Sequence, residues 1–404
     1  TQIMDLRSSA SNYSVGGDAV VNFNLPSGYT YTLNTTVPFN NLNISRRTGG
    51  GNVTIQFLNT SSSSVYVYKN LSIGANTILD LNTNNLDLYI GGNFTINTGG
   101  TYTPSQNAAR YTVFNGAGTQ SFDASGTING NLRNLSLINS SDLTLYGNNI
   151  TLLGTLTINS GCTLRDNGRT ITVQGNIVNS GTHFKPVSGA GSIVLTGTNA
   201  QVISGDGHGI FNNLTLNKTG GSVTTSADFT ITGELRLANT AARLNIGSNN
   251  LYLTADADIF DNTTGTGKNF SNTRMILTNG LSSDNGITKE YNSTNAFIFP
   301  FGMLVGGTYY YMPASIQFSS APTTYGTVTT RPVNGRHPLA TGTNNALTCY
   351  WKTRSNGFTG IPASSVRHHY YYDAAGSNFF VQGTEANYIP GVYLNGATWT
   401  YLNN

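Results

Sequence analysis

Gln120-Ser-Phe, Asn134-Leu-Ser-Leu, Thr155-Leu-Thr-Ile and Thr170-Ile-Thr-Val return further along the chain. They come back as Gln201-Val-Ile, Asn213-Leu-Thr-Leu, Glu234-Leu-Arg-Leu and Asn250-Leu-Tyr-Leu, in the same order and at a nearly constant offset. A looser copy precedes both. Asn41-Leu-Asn-Ile, Asn70-Leu-Ser-Ile and Asn85-Leu-Asp-Leu stand ahead of Asn134, Thr155 and Thr170 by a wider and less even margin, so this first copy carries small insertions. Three copies of a unit of about 80 residues, at about 15–100, 111–184 and 191–255, mark a repeat architecture in which stacked neighbours bury a continuous core.

Within each copy, short runs such as Val53-Thr-Ile-Gln-Phe, Leu156-Thr-Ile and Leu235-Arg-Leu alternate apolar and polar residues, with Gly, Asn, Ser and Thr between them. Alternation at period two with β-branched residues argues strands, and the punctuation argues turns. No stretch carries the spacing of an amphipathic helix, so the chain reads as all-β. Tight corners at short intervals suit a parallel β-helix, a β-solenoid of three units of about 80 residues, with roughly 20 residues and one step of about 4.8 Å per turn. A unit then amounts to about four turns. Asn41, Asn134 and Asn213, each just before an X-Leu-X-Leu strand, are placed to cap backbone groups at a corner. A row of small antiparallel sandwiches fits the same alternation and ranks second.

Composition agrees. Apolar residues make up 38% and charged residues only 9%, with a net charge of +3, so the polar surface is Asn, Thr, Ser and Gly. No Lys/Arg cluster marks a nucleic-acid footprint in the sequence, and no apolar run is long enough to span a membrane. Cys162 and Cys349 lie far apart and read as two small buried thiols rather than a disulfide. Thr1 is not an initiator Met, and the chain reads as a processed protein or a segment of a longer one. From about residue 256 the texture changes. Pro, Tyr and both tryptophans, Trp351 and Trp399, gather towards the end, and strands such as Ala314-Ser-Ile-Gln-Phe predict an antiparallel sandwich. The expected division is a solenoid at 1–262 and a β-sandwich-like domain at 263–404.

Phe211-Asn-Asn-Leu-Thr-Leu, Ile231-Thr-Gly-Glu-Leu-Arg-Leu and Leu244-Asn-Ile-Gly through Leu253 form a pattern that resembles repeats of very large secreted surface proteins of Bacteroidetes. Met275-Ile-Leu-Thr-Asn-Gly, Phe297-Ile-Phe-Pro-Phe-Gly and His337-Pro followed by Leu347-Thr-Cys-Tyr-Trp-Lys fit the same proteins, with Cys349 where Arg is usual. The resemblance implies a β-rich adhesin or gliding-motility adhesin at the extracellular cell surface, exported by the type IX route. Its partners are then surface glycans or an abiotic or host surface, together with the secretion machinery. That family's C-terminal sorting domain is not evident in this sequence.

Three candidate chemistries follow from side chains. Trp351, Tyr310 and Tyr371, the last two from the trios Tyr309–Tyr311 and Tyr370–Tyr372, are candidate sugar-stacking residues of a carbohydrate-binding module. Alternation along a strand sends some of each trio into the core. Asp256, Asp258 and Asp261 are oxygen donors close enough in sequence for Ca²⁺, the one cofactor considered, although the glycine-bearing twelve-residue loop is missing. His368-His369 cannot both aim at one metal from a regular strand. A β-helical polysaccharide lyase or glycosidase needs converging carboxylates, but the acids of the repeats are scattered: Asp80, Asp87, Asp123, Asp142, Asp166, Asp206, Asp228 and Glu234. Asp206-Gly-His208 is the best acid–base neighbour pair. The expected function is a structural or adhesive stalk, not an enzyme.

Overall fold

The structure, a computed structural model, describes residues 2–5, 17–59, 62–184, 191–240, 242–340, 345–372, 379–394 and 398–401. Almost all regular structure is strand, and among the described residues the one helical element is a single 3-10 turn, Glu385–Asn387. Two compact units are present: Thr1–Leu244 with Tyr252–Lys268, and Asn245–Leu251 with Asn269–Asn404.

Unit 1 is a three-faced parallel β-solenoid. From Ser141–Gly147 onward the chain visits three sheets in fixed order. Ser141–Gly147, Ile150–Leu152 and Leu156–Ile158 make one turn, and Thr163–Arg165, Thr170–Val173 and Ile177–Asn179 make the next. Each strand pairs in parallel with the one a turn later, as in Leu135↔Leu156↔Ile177, where the two steps are equal. Earlier steps, such as Leu42↔Leu71 and Phe94↔Phe122, take up more chain, which accounts for the looser match of the first copy. The second face changes sheet once. A six-stranded sheet ending at Thr127–Ile128 gives way to another beginning at Ile150–Leu152, and the isolated parallel bridge Leu132↔Leu152 lies at the junction.

Alternating side chains fill the lumen. Ile150, Ile171, Ile193, Leu214, Leu235 and Ile259 stack in register, each at most 2% exposed. Each such side chain contributes about 1.5–3 kcal/mol by leaving water. In the earlier turns aromatic rings take that place: Phe94 lies against Phe122 at 5.1 Å between ring centres and edge-on to Tyr102 at 5.2 Å.

The sequence repeat and the coil have different periods. The strand after Asn41 belongs to the first face, the strand after Asn134 to the third, and the strand after Asn213 to the second. Each is eleven strands beyond the one before. Asn70, Thr155 and Glu234 follow the same course. With three strands to a turn, a copy spans three turns and two-thirds rather than four, and equivalent residues of successive copies emerge on different faces.

The Asn residues explain why the copies tolerate this. Asn134 donates through Nδ2 to the carbonyls of Ala108 and Arg110 at 2.9 and 2.7 Å, and its Oδ1 accepts from Thr155 N at 2.7 Å. Asn213 does the same between Gly191 O at 2.9 Å and Glu234 N at 3.1 Å. On the first face, Asn41, Asn70 and Asn93 pass the bond upward, each accepting from the backbone amide one turn later. Each Asn clips one turn to another chiefly through backbone groups, so the same motif serves on any face. Gly154 and Gly233 keep the clip clear: a Cβ there would lie 2.2 Å from Asn134 Oδ1 or 2.5 Å from Asn213 Oδ1. We expect Gly154→Ala to cost about 2 kcal/mol in urea denaturation, by displacing a buried amide.

Unit 2 is built mainly of antiparallel sheet. Gly286–Glu290, Thr327–Asn334 and Cys349–Asn356 form one antiparallel run, and Phe297–Phe299, Ala314–Phe318 and Val366–Tyr370 form a second. The two sheets face each other. Tyr291 Oη donates to Ile316 O, Thr353 Oγ1 shares a hydrogen bond with Tyr370 Oη, and Lys289 lies over the Phe297 ring. Phe301–Val305 and Thr308–Tyr311 make a hairpin whose two-residue turn, Gly306-Gly307, has φ of 58° and 85°. Two consecutive positive φ values are tolerated there because glycine lacks a Cβ. Cys162 and Cys349 are buried free thiols, and burial pushes the Cys349 thiol up to about 12.

Candidate functional site

The aromatic candidates lie in unit 2, and two of the three are already stacked. Trp351 lies 5.1 Å from the Tyr370 ring at 29° and donates its Nε1–H to Met312 O at 3.3 Å. Its other neighbours are the buried Met303, Met312, Cys349 and Phe380. Tyr310 stacks on Phe379 at 4.4 Å and meets the edge of Phe380 at 5.2 Å. Tyr371 is the open one, 52% exposed. The structure therefore does not bring the three rings into one platform. Trp399 belongs to a separate group around His337 with Tyr350 and Tyr393, where burial lowers the His337 pKa.

Many of the carboxylates are already engaged by neighbouring side chains or backbone amides. Asp258 receives Lys268 Nζ at 2.9 and 2.7 Å on its two oxygens, and Asp261 is 4% exposed. Among the described residues no three His, Cys, Asp or Glu side chains converge so as to hold a metal ion, the trio Asp256, Asp258 and Asp261 included. In the repeats Asp87 accepts from Arg110 at 3.2 Å and Tyr111 N at 2.7 Å. Asp142 takes Arg165 through two bonds of 2.6 and 3.0 Å, and Glu234 takes Arg236. Asp206 and His208 form an exposed turn, with Asp206 held below the ordinary carboxylate range chiefly by the backbone N–H of His208.

Sequence reasoning missed the polar groups inside the coil. His183 and Asp166 are fully buried and hydrogen-bonded at 3.1 Å, with Asp166 also accepting from Gly168 N. The signal was present as parity: His183 pairs in register with Leu164, an inward position. Gln120 and Gln201, quoted above only as markers of the repeat, are 1% exposed. Gln120 Nε2 donates to Ile90 O at 3.0 Å and Gly92 O at 2.9 Å, while its Oε1 accepts from Ser141 Oγ at 2.6 Å. Gln201 repeats this with Val173 O and Gly175 O, but its Oε1 accepts from Lys218 Nζ at 2.7 Å.

Lys218 is thus a fully buried ammonium held by Gln201 Oε1 and the carbonyls of Thr196 and Asn199, and burial lowers its pKa. A cation whose folded pKa lies below its unfolded value of about 10.5 costs stability at neutral pH, and that cost is relieved as pH rises between the two. We expect the stability difference between Lys218→Met and the native chain to shift in favour of the native chain as pH rises towards about 10.5. Urea midpoints measured across that range give the result.

Fold and side chains together define the class: a three-faced parallel β-solenoid with an antiparallel unit, whose polar side chains serve chiefly to clip the backbone. No known protein family matches the chain, and neither a curated protein nor a solved structure matches it.

Proposed function

We propose that this chain is a structural and adhesive segment of a bacterial cell-surface protein, with unit 1 as a stiff spacer and unit 2 as the part that meets a surface. One observation carries the reading. Because each copy of the repeat is eleven strands long, it places its motif on a different face, and where the register does set two carboxylates side by side, Glu234 and Asp258, each is held by a cation, Arg236 and Lys268, rather than left free for acid–base work. In unit 1 Asp87, Asp142, Asp166, Asp206, Glu234 and Asp258 are each paired with Arg, Lys or His, which supports a non-catalytic role. The resemblance to Bacteroidetes surface repeats supports an extracellular location and export by the type IX route. Surface glycans, or an abiotic or host surface, are the partners in this reading. The self-stacked Trp351 and Tyr310 favour it over a dedicated sugar-stacking module, leaving Tyr371 as that module's one exposed candidate.

The test displays the intact chain on fluorescent particles and measures attachment to glycan-coated, protein-coated and bare surfaces. Attachment above that of particles bearing an unrelated β-protein is expected. Equal attachment, or turnover of a polysaccharide by the intact chain, overturns the reading.

A further inference from the structure

The geometry points to an anion-binding site on the outer face of the unit 2 sheet, formed by Lys352 and Arg354 beside the buried charge of Arg331, that takes the carboxylate or sulfate groups of an acidic polysaccharide. Arg331 and Lys352 are direct cross-strand partners, and Arg354 follows opposite Thr329. Directly opposed side chains have Cβ atoms about 5 Å apart, and Lys352 and Arg354 lie about 6.7 Å apart along one strand. Like charges so placed repel, and the sheet retains all three.

What faces them does not compensate the charge. Arg331 is 5% exposed, yet its Nε and Nη2 both donate to one neutral acceptor, Ser282 O, at 3.2 and 3.0 Å. Lys352 Nζ donates to the same carbonyl at 3.2 Å. Among the described residues none of the three cations forms an ion pair. Asp284 supplies one nearby negative charge, with its Oδ2 engaged by Leu281 N at 3.0 Å. Glu290 is on the same face opposite Thr327, about 13 Å along the strand from Arg331. Burial and the neighbouring cations lower the pKa values of both Arg331 and Lys352, as expected for positive charge without a counterion.

Beside the cations runs a row of neutral donors and acceptors. Asn250 Nδ2 donates to Thr288 Oγ1 at 3.0 Å, and Thr288 Oγ1 shares a hydrogen bond with Thr329 Oγ1 at 2.8 Å. Cations next to hydroxyls and an amide match a sugar that carries both acid groups and hydroxyls. Nucleic acid calls for a longer basic stripe interleaved with stacking rings. This inference rests on the reading of unit 2 as the part that meets glycans, and it names their class.

The test measures binding of the intact chain to immobilised polyuronate, dextran sulfate and neutral dextran. It is run from about 0.01 M to about 0.15 M salt, over which the screening length falls from about 30 to about 8 Å. Retention on one or both acidic polymers but not the neutral one is expected, weakening with salt. The acidic polymer retained tells carboxylate from sulfate recognition. Lys352→Ala and Arg354→Ala each weaken binding about ten- to a hundredfold, as loss of one charge-assisted hydrogen bond does. Arg47→Ala, which removes an exposed charge from unit 1, leaves binding unchanged. The inference is overturned by equal loss in Arg47→Ala, by undiminished binding in the Lys352→Ala/Arg354→Ala double variant with native circular dichroism, or by tighter binding to duplex DNA. If the intact chain retains no acidic polymer yet its particles still attach to surfaces, the inference fails and the adhesive reading stands. If it retains acidic polymer but its particles do not attach, the reverse holds.

Discussion

Gln201→Leu lowers the unfolding free energy by about 4 kcal/mol, and Lys218→Met added to it returns a large part of that loss. The substitution keeps the size of the side chain but strips donors from Val173 O and Gly175 O, and leaves the Lys218 ammonium with carbonyl partners alone. Each buried group left unmatched costs about 1–3 kcal/mol, and a charged one more. Lys218→Met alone removes the buried charge but strands Gln201 Oε1, so it costs about 1–2 kcal/mol. The double variant is therefore less damaged than the two single effects added together, with a coupling of at least about 1 kcal/mol. Urea denaturation of the four proteins measures it. Additive effects would show that Lys218 and Gln201 do not hold each other, and the account of the buried lysine would fall.

Asn134→Ala costs about 3 kcal/mol for a related reason. It strands the carbonyls of Ala108 and Arg110 and the amide of Thr155, three backbone groups on two turns. Asn134→Asp is a sharper probe. It preserves the acceptor for Thr155 N but sets a carboxylate against two carbonyl oxygens, so it destabilises most when ionised. Its deficit therefore shrinks as pH falls through the carboxylate range. Hydrogen exchange should place the loss in the turns around residues 108–155. A deficit independent of pH would mean that the side chain has turned away from the carbonyls.

Much of this was legible in the chain itself, for a physical reason. A short strand that alternates and ends on Asn or Gly carries its own local instructions, and Leu156-Thr-Ile or Asn134-Leu-Ser-Leu needs no distant partner to be read. The equivalence of Asn41, Asn134 and Asn213 was legible too, because each does the same backbone work. What could not be read was the register between turns. The face on which a motif emerges depends on how many strands precede it, and that number is set by corner geometry rather than by the motif. His183 with Asp166, Gln201 with Lys218, and Arg331 with Lys352 are pairs made by register, each with a corner or loop of chain between its members. Trp351 looked available because nothing in the sequence said that Tyr370 would cover its ring.

The eleven-strand repeat makes copy number an angular variable. Gain or loss of one copy does not simply lengthen or shorten the coil. It turns the point where the following strand leaves by two-thirds of a revolution, like an indexing screw with three stops. Only changes of three copies at once restore the original heading. A tally of copies modulo three would thus record on which face of the coil the next strand begins.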